Sequence, residues 1–505
     1  MIDIIHTYED LERLIKKNYV TPDLTLVRRA YEMAERAHKD EIRYTGHPYI
    51  THPLAVAFKL AEMCFNLNMI VAGLLHDTVE DTEITLDDIK REFGTDVADM
   101  VDGVTKLKKI KYQGVERYVE NMRRMFMAMA SDVRVVFIKF ADRLHNLQTL
   151  YARPGHKQER IARETLEIYA PIANRLGMGE MKGEMEDLSF KYLQPKEYDW
   201  VQQIMDTKVR EKGVQITRIM DTADGVLRAA GITPIQIHGR VKRLFSLFHK
   251  LQRYGNDINK IHDLVAVRVV LSDVEDCYAA LGVIHQKWHP VPNRIKDYIA
   301  QPKPNGYQSL HTTVFCEGGE TAEFQIRTEE MHELAEYGVS AHWRYKETGR
   351  TPPKSLRWME ELVTIQKELA NKKDFMEQME VLKIDVFRDR IFVFTPQGDV
   401  IDLPEGATPV DFAFMVHSDV GNKCVAARVN EQMVNLDSPL KSNDVVEIII
   451  DKNRRGPNPD WLKFVKTHHA REHIREAARR GMKSWLNFMM PKPGFGGKKK
   501  EKGKK

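Results

Sequence analysis

Only four cysteines occur in 505 residues, Cys64, Cys277, Cys316 and Cys424, and no two of them form a CxxC pair. This excludes a disulfide framework and a thiolate zinc site, and fits a reducing cytoplasm. Long apolar runs are missing as well. The longest, around Met69 to Leu75, falls far short of the roughly 20 residues a membrane-spanning helix needs. The opening Met1-Ile2-Asp3 lacks the basic-then-apolar order of a signal peptide, so the expected location is cytoplasmic. Charge of one sign is also scarce. With 77 Lys and Arg against 73 Asp and Glu, the net charge is +4, and bulk charge nominates no nucleic-acid partner. There is no internal repeat.

A chain of this length exceeds one ordinary core, so two or three are expected. From about Leu24 to Gly231 apolar residues recur at helical spacing, as in Leu26, Val27, Ala30, Tyr31, Ala34 and Ala37, which predicts an all-helical first part. Its punctuation agrees: Thr85-Leu86-Asp87-Asp88 has the form of a capped helix start, and Gly94 and Pro154-Gly155 those of stops. From Thr233 short β-rich runs appear at Pro234–His238, Leu264–Leu271, Leu310–Phe315 and Ala322–Arg327, with helical stretches such as Val241–Arg253 between them. A compact β-rich unit is expected over Asp385–Asp451, with a hairpin at Arg390–Asp399. The expected division is 1–195 and 196–347 for the first two domains, 348–383 for a helical connector, 384–451 for the β-rich unit, 452–488 for a helical region and 489–505 for a basic disordered tail.

Two groups of residues carry chemistry. In the helical part, His52, His76, Asp77 and Asp142 offer two imidazoles and two carboxylates, a ligand set suited to Mn²⁺ or a similar divalent ion. Glu80 and Asp81 follow His76 and Asp77 by one helical turn, so they are expected in the same cleft, where they can orient a water or carry its proton. Any one of these groups alone reads as ordinary surface polarity or a satisfied core histidine; the combination does not. In the mixed part, a helix beginning near Val241 would align Lys242, Ser246 and Lys250 on one stripe beside Arg240, a row suited to a polyphosphate. Asp263 and Glu323, one from each of two strands, are the minimum pair of oxygen ligands for Mg²⁺ in phosphoryl transfer. The Gly/Pro loop Arg294–His311 adds basic groups and an aromatic suited to phosphates and to stacking on a base.

These stretches resemble the RelA/SpoT family. Arg43-Tyr-Thr-Gly-His-Pro-Tyr-Ile-Thr-His-Pro53, His76-Asp-Thr-Val-Glu-Asp81 and Ala141-Asp-Arg-Leu-His-Asn146 are similar to its HD-phosphohydrolase domain. The resemblance implies His52, His76, Asp77 and Asp142 as metal ligands, Glu80 and Asp81 as the water-activating pair, and Arg43 and Asn146 as nucleotide contacts. Arg294–His311, Glu323-Phe-Gln-Ile-Arg-Thr328 and Ala335-Glu-Tyr-Gly-Val-Ser-Ala-His-Trp343 resemble its synthetase domain, a mixed α/β nucleotidyltransferase-like fold. There the implied roles are Asp263 and Glu323 for Mg²⁺, with Glu323 also as base. Arg240, Lys242, Ser246 and Lys250 would hold ATP, Tyr307 would stack on guanine, and Lys296, Asn305 and His311 would line the acceptor side.

Phe394-Thr-Pro-Gln-Gly-Asp-Val-Ile-Asp-Leu-Pro404 and Val416-His-Ser-Asp-Val-Gly-Asn-Lys423 resemble the family's TGS domain, a small β-grasp unit. In that domain His417 matches a contact to deacylated tRNA, and through it to the ribosome. The whole is expected to be a multidomain α+β enzyme that makes (p)ppGpp from ATP and GDP or GTP and hydrolyses it again. The basic Arg294-x-Lys-Asp297 pattern matches members with both activities. Departures are His47, where an acidic residue is common, Gln148, where a basic one is, and Val241, where proline is frequent. No counterpart of the family's zinc-finger and ACT-type modules follows, so a C-terminally shortened or incomplete member is expected. The rival readings are a synthetase with a weak, regulatory hydrolase domain and a tRNA-sensing module without catalysis.

Overall fold

A computed structural model describes residues 5–19, 21–108, 124–125, 128, 131–261, 264–303, 305–316, 321–338, 341, 390–441, 444–454 and 456–489. The expected connector 348–383, the tail from residue 490 and Asp263 lie outside them. The chain forms two units, Met1–Glu368 and Leu369–Lys505. Among the described residues no helix is long and apolar enough to cross a membrane.

The described residues up to Ala230 are almost entirely in helices and turns, and the order of those helices explains where the polar residues emerge. The Leu67–Leu75 helix is buried on every side from Met69 onward, because it is apolar all round rather than along one stripe. It packs between Leu24–Ala37, Thr51–Glu62 and the helix Thr95–Lys108. Its C-terminal cap is His76, so the buried helix delivers His76-Asp77 to the middle of the bundle. Opposite stands Val133–Gln148, buried from Val135 through Asp142. The Thr85 start has both halves of a capping box: Asp88 N–H donates to Thr85 Oγ1 at 3.2 Å, and Thr85 N–H to the Asp88 carboxylate at 3.1 Å. Gly94 ends that helix at φ +87°. A further helix, Tyr8–Asn18, precedes the periodic region read from the sequence.

The 35-residue helix Pro195–Ala229 joins the helical and mixed regions. Val201 and Met205 pack on Leu247, Phe248 and Leu251, while Ile219, Ala223 and Leu227 pack on the sheet. That sheet has the order β1-β2-β5-β4-β3, from β1 (Gln236–Val241), β2 (Val265–Leu271), β3 (Lys296–Asp297), β4 (Leu310–Phe315) and β5 (Thr321–Thr328). Only β2 and β5 run parallel. The first strand lies later than expected, and the following helix is Leu244–Arg253 rather than one from Val241. The reason is pairing. Val241 is still opposite Val265, and Lys242 N–H donates to Leu264 O at 3.0 Å, so the ladder holds the backbone extended until Arg243.

The mixed region meets the helical one through backbone. Gly338 has φ +61°, and a Cβ there would lie 2.1 Å from Leu176 O and 2.6 Å from Gly177 C. Nothing in that contact is a flexible side chain that could move aside. Gly338→Ala is therefore expected to cost more than about 2 kcal/mol of unfolding free energy in urea titrations, from the left-handed backbone and the clash together.

In the second unit, β6 (Arg390–Phe394) and β7 (Val400–Pro404) form the expected hairpin, with Gly398 at φ +91° in its turn. β8 (Cys424–Val429), β9 (Gln432–Val434) and β10 (Val446–Ile450) form a second sheet in the order β10-β8-β9, linked to the first by a parallel bridge from Phe394 to Val445. The helix Pro409–Val416 packs on both. Its Asp411 is fully buried and accepts from Thr408 N–H and Oγ1, Lys466 N–H, and Thr467 N–H and Oγ1, all at 2.7–2.9 Å. One carboxylate thus ties the start of His468–Met489 to this unit.

Candidate active sites

His52, in the first turn of Thr51–Glu62, is brought within reach of both ends of the first constellation. Its Nε2 lies 3.2 Å from Asp142 Oδ1 and 3.4 Å from Asp77 Oδ2. His76 Nε2 lies 3.1 Å from Asp77 Oδ1 and makes no hydrogen bond, although it is buried. The other nitrogen explains its state: His76 Nδ1 is 2.8 Å from Gly73 O, so it carries the proton, and the Nε2 lone pair faces the carboxylates. One donor atom each from His52, His76 and Asp142 lie within 4.8 Å of one another. A buried imidazole lone pair turned toward two carboxylates and a second imidazole fits a divalent metal ion.

Burial alone would raise the Asp142 carboxyl, but the Lys139 ammonium, to which it is hydrogen-bonded, and His52 hold it well below the usual carboxylate range. Asn146 Nδ2 donates to the same carboxylate, and Arg43 Nη2 donates to Asn146 Oδ1 at 3.2 Å. Arg43 reaches there because Gly46, at φ +85°, folds Arg43–His47 into a tight turn. Asp81 remains beside Asp77: its N–H donates to Asp77 O, and the Tyr49 hydroxyl spans the two carboxylates at 2.9 and 3.4 Å. The helix breaks at His76-Asp77 before Thr78–Asp81, so the continuous helical face expected to carry Glu80 does not exist; Glu80 is half-buried on that short turn.

Three neighbours were not singled out from sequence. Tyr49 is held protonated by burial and by the adjacent Asp77. His145 Nδ1 lies 2.8 Å from His52 Nδ1, and burial beside His52 pushes it down to about 2, which keeps it neutral. Arg143 is bound by Glu164 at 3.2 Å and by the Tyr169 hydroxyl at 2.8 Å, where a π-helical turn, Thr165–Tyr169, widens the helix. Tyr49, Arg143 and His145 all lie inside the motifs described above; the π-turn left no periodic signal.

The second constellation lines a cleft over one face of the five-stranded sheet. Arg240, Lys242, Ser246, Lys250, Lys296, His311 and Glu323 all border it, although Lys242 precedes the helix. Gln325 Nε2 donates to Glu323 Oε1 at 3.3 Å, as expected for alternate residues on one strand face. A relay reaches the same oxygen: the Tyr307 hydroxyl donates to His311 Nε2 at 2.8 Å, and His311 Nδ1 to Glu323 Oε1 at 2.8 Å. Burial lowers the His311 imidazole and favours this neutral form. Tyr307 also has the Lys303 ammonium 5.0 Å from its ring centre. Asn305 and Tyr307 border the adjoining cavity rather than the cleft of Glu323, and Asn305 Nδ2 donates to Asn174 O at 3.3 Å. In the second unit His417 is exposed and caps the short helix Ser418–Lys423, its Nδ1 accepting the Asp419 N–H.

Family models match three parts of the chain: an HD domain over residues 30–179, a region found in RelA/SpoT proteins over 239–350, and a TGS domain over 391–450. The GTP pyrophosphokinase of Streptomyces coelicolor is 47% identical over 490 residues, covering 92% of this chain and 57% of that protein. The GTP pyrophosphokinase of Myxococcus xanthus is 44% identical over 468 residues, covering 91% and 61%. The chain therefore spans less than two thirds of the length of these relatives. The bifunctional (p)ppGpp synthase/hydrolase SpoT of Escherichia coli is 44% identical over 477 residues, covering 94% of this chain and 67% of that protein. With HD, RelA/SpoT-type and TGS matches along it and 44% identity to a SpoT protein of which it covers 67%, the chain belongs to the RelA/SpoT family.

Proposed function

We propose that the chain is a bifunctional alarmone enzyme, with a (p)ppGpp hydrolase in residues 1–195 and a (p)ppGpp synthetase in residues 196–347. The observation that carries the reading is the coexistence of two separate sites, each with its polar groups already oriented: His52, His76, Asp77 and Asp142 in one, Glu323 with its Tyr307-His311 relay and the Arg240-to-Lys250 cations in the other. It is supported by the two activities for which the Escherichia coli relative is named.

In the first site the four ligands would hold Mn²⁺, which when bound lowers the pKa of water and neutralises phosphate charge. Asp81, tied to Asp77 through Tyr49, and Glu80 orient the attacking water and take its proton. Arg43 and Asn146, already bonded to each other, receive the nucleotide. In the second site Glu323, with Asp263, would hold Mg²⁺. Arg240, Lys242, Ser246 and Lys250 bind the triphosphate of ATP. The 3′-hydroxyl of GDP or GTP attacks the β-phosphorus, Glu323 takes its proton, the diphosphate passes to the acceptor, and AMP leaves. His311 keeps Glu323 in place by donating from Nδ1. His417, exposed on the TGS domain, is the proposed contact to deacylated tRNA on the ribosome.

The direct test supplies the purified chain with ATP and GDP, and separately with ppGpp, while Mg²⁺ and Mn²⁺ are varied. Formation of ppGpp and AMP in the first assay and of GDP and diphosphate in the second supports both halves; absence of either product removes that half.

Within the synthetase, Tyr307→Ala is expected to raise the KM for GDP roughly tenfold or more, since a stacking platform contributes about 1–3 kcal/mol. The KM for ATP should change little. Tyr307→Phe keeps the ring but loses the hydrogen bond to His311, so it should lower kcat with the KM for GDP near the parent value. Steady-state kinetics in both substrates separate these outcomes from a collapsed loop, which would affect ATP and GDP alike.

A further inference from the structure

Beyond the cleft of Glu323, the same sheet face continues over a second group of cations that none of the roles above uses. The register sets His238, Arg268 and Gln325 in one cross-strand row, next to the row of Arg240, Ala266 and Glu323; Arg327 follows on β5. Rows two residues apart are separated by about 7 Å, so Arg268 and Arg327 lie further along the face than the carboxylate. They are 6% and 0% exposed.

Two buried guanidiniums share a single carboxylate oxygen: Glu336 Oε1 accepts from Arg327 Nη2 at 3.0 Å and forms an ion pair with Arg268 Nη1, also at 3.0 Å. Their other named partners are imidazoles, His238 for Arg268 and His332 for Arg327. Both Nε atoms are enclosed and make no hydrogen bond. Burial lowers both arginines, helped by Arg327 for Arg268, which falls to about 10, and by Arg240 for Arg327; burial and the arginines also lower His238 and push His332 down to about 4, so the imidazoles bring no charge of their own. Among the described residues Glu336 is the only carboxylate paired with the two guanidiniums, and a buried charge without its own counter-charge is costly. Both arginines border a cavity that also reaches Arg240, Lys303 and Tyr307. Across it, Glu180 and Asp187 are engaged by Arg243, and Glu186 by Lys182.

We propose that this cavity is an oxyanion site for a phosphate or diphosphate group, with Arg268 and Arg327 as its floor; Lys242 and Ser246 border it as well, whereas Lys250 lines only the cleft of Glu323. The group can come from two sources, the 5′-diphosphate of a nucleotide stacked at Tyr307 or a free inorganic anion. Only the first source rests on the synthetase reading. Glu336 then acts as the internal competitor of the bound anion.

The test is equilibrium binding of inorganic diphosphate, GDP and guanosine to the full chain without divalent ions, for the parent, Arg268→Gln, Glu336→Gln and Lys250→Ala. Arg268→Gln should weaken diphosphate about tenfold at one site that Lys250→Ala retains. Glu336→Gln should tighten that site several-fold, a change of opposite sign that damaged folding cannot imitate. If diphosphate competes with GDP, and Arg268→Gln weakens GDP but not guanosine, the source is the nucleotide. If diphosphate and GDP bind together, it is the free anion. Unchanged diphosphate affinity in both Arg268→Gln and Glu336→Gln overturns the site. Failure of ATP and GDP to give ppGpp overturns the synthetase reading instead, and leaves these binding results standing.

Discussion

Asp77→Ala is expected to slow release of diphosphate from ppGpp by more than about a hundredfold, because even groups that only support a metal ligand contribute 10- to 100-fold. Asp77 is 1% exposed and faces both imidazoles, 3.1 Å from His76 Nε2 and 3.4 Å from His52 Nε2, so no neighbouring carboxylate can take its position without moving the backbone. Synthesis from ATP and GDP should stay within about twofold, as the two sites share no side chain. Asp77→Asn preserves shape and the hydrogen bond from Tyr49 while removing the charge, and should be nearly as inactive. A variant that hydrolyses ppGpp at the parent rate would remove Asp77 from the site.

Glu323→Gln should have the complementary effect, lowering kcat for synthesis by roughly 10²- to 10⁴-fold while sparing hydrolysis. The surroundings make this a clean substitution. His311 Nδ1 and Gln325 Nε2 both donate to Oε1, and an amide oxygen at that position accepts both as well. What is lost is the negative charge and the basic lone pair, so the KM values for ATP and GDP should change far less than kcat. If ppGpp is still formed at near the parent rate, the proton goes elsewhere and Glu323 is no base.

The fold was largely legible, because its signals are local. Helical periodicity, the Thr85 capping box and the hairpin around Gly398 each depend on a few neighbouring residues. The strand-to-helix turn was misplaced by a few residues because Val241 and Lys242 are held extended by partners over twenty positions away. The candidate sites were legible as residue types in motifs, and the structure draws His52, His76, Asp77 and Asp142 together from three helices. What sequence did not reveal is pairwise and long-range: Tyr49 across Asp77 and Asp81, His145 behind His52, and the sharing of Glu336 by Arg268 and Arg327. None of these has a spacing rule, since each depends on how separate elements pack.

The strand order β1-β2-β5-β4-β3 also bears on how the chain is made. Its centre, β5, is translated last, and β2 must wait for it through roughly sixty residues of synthesis, about 3–12 s at 5–20 residues per second. During that interval β1 and β2 can pair, but the other edge of β2, apolar except for Arg268, has no partner on the nascent chain. The helices packed on Leu67–Leu75, and the helix Gly179–Leu193 that packs on Val133–Gln148 beside them, all precede β2 and can be in place by then. Vectorial synthesis therefore yields a finished helical half tethered to an aggregation-prone half-sheet, and chaperone demand should peak at nascent lengths between Leu271 and Thr328.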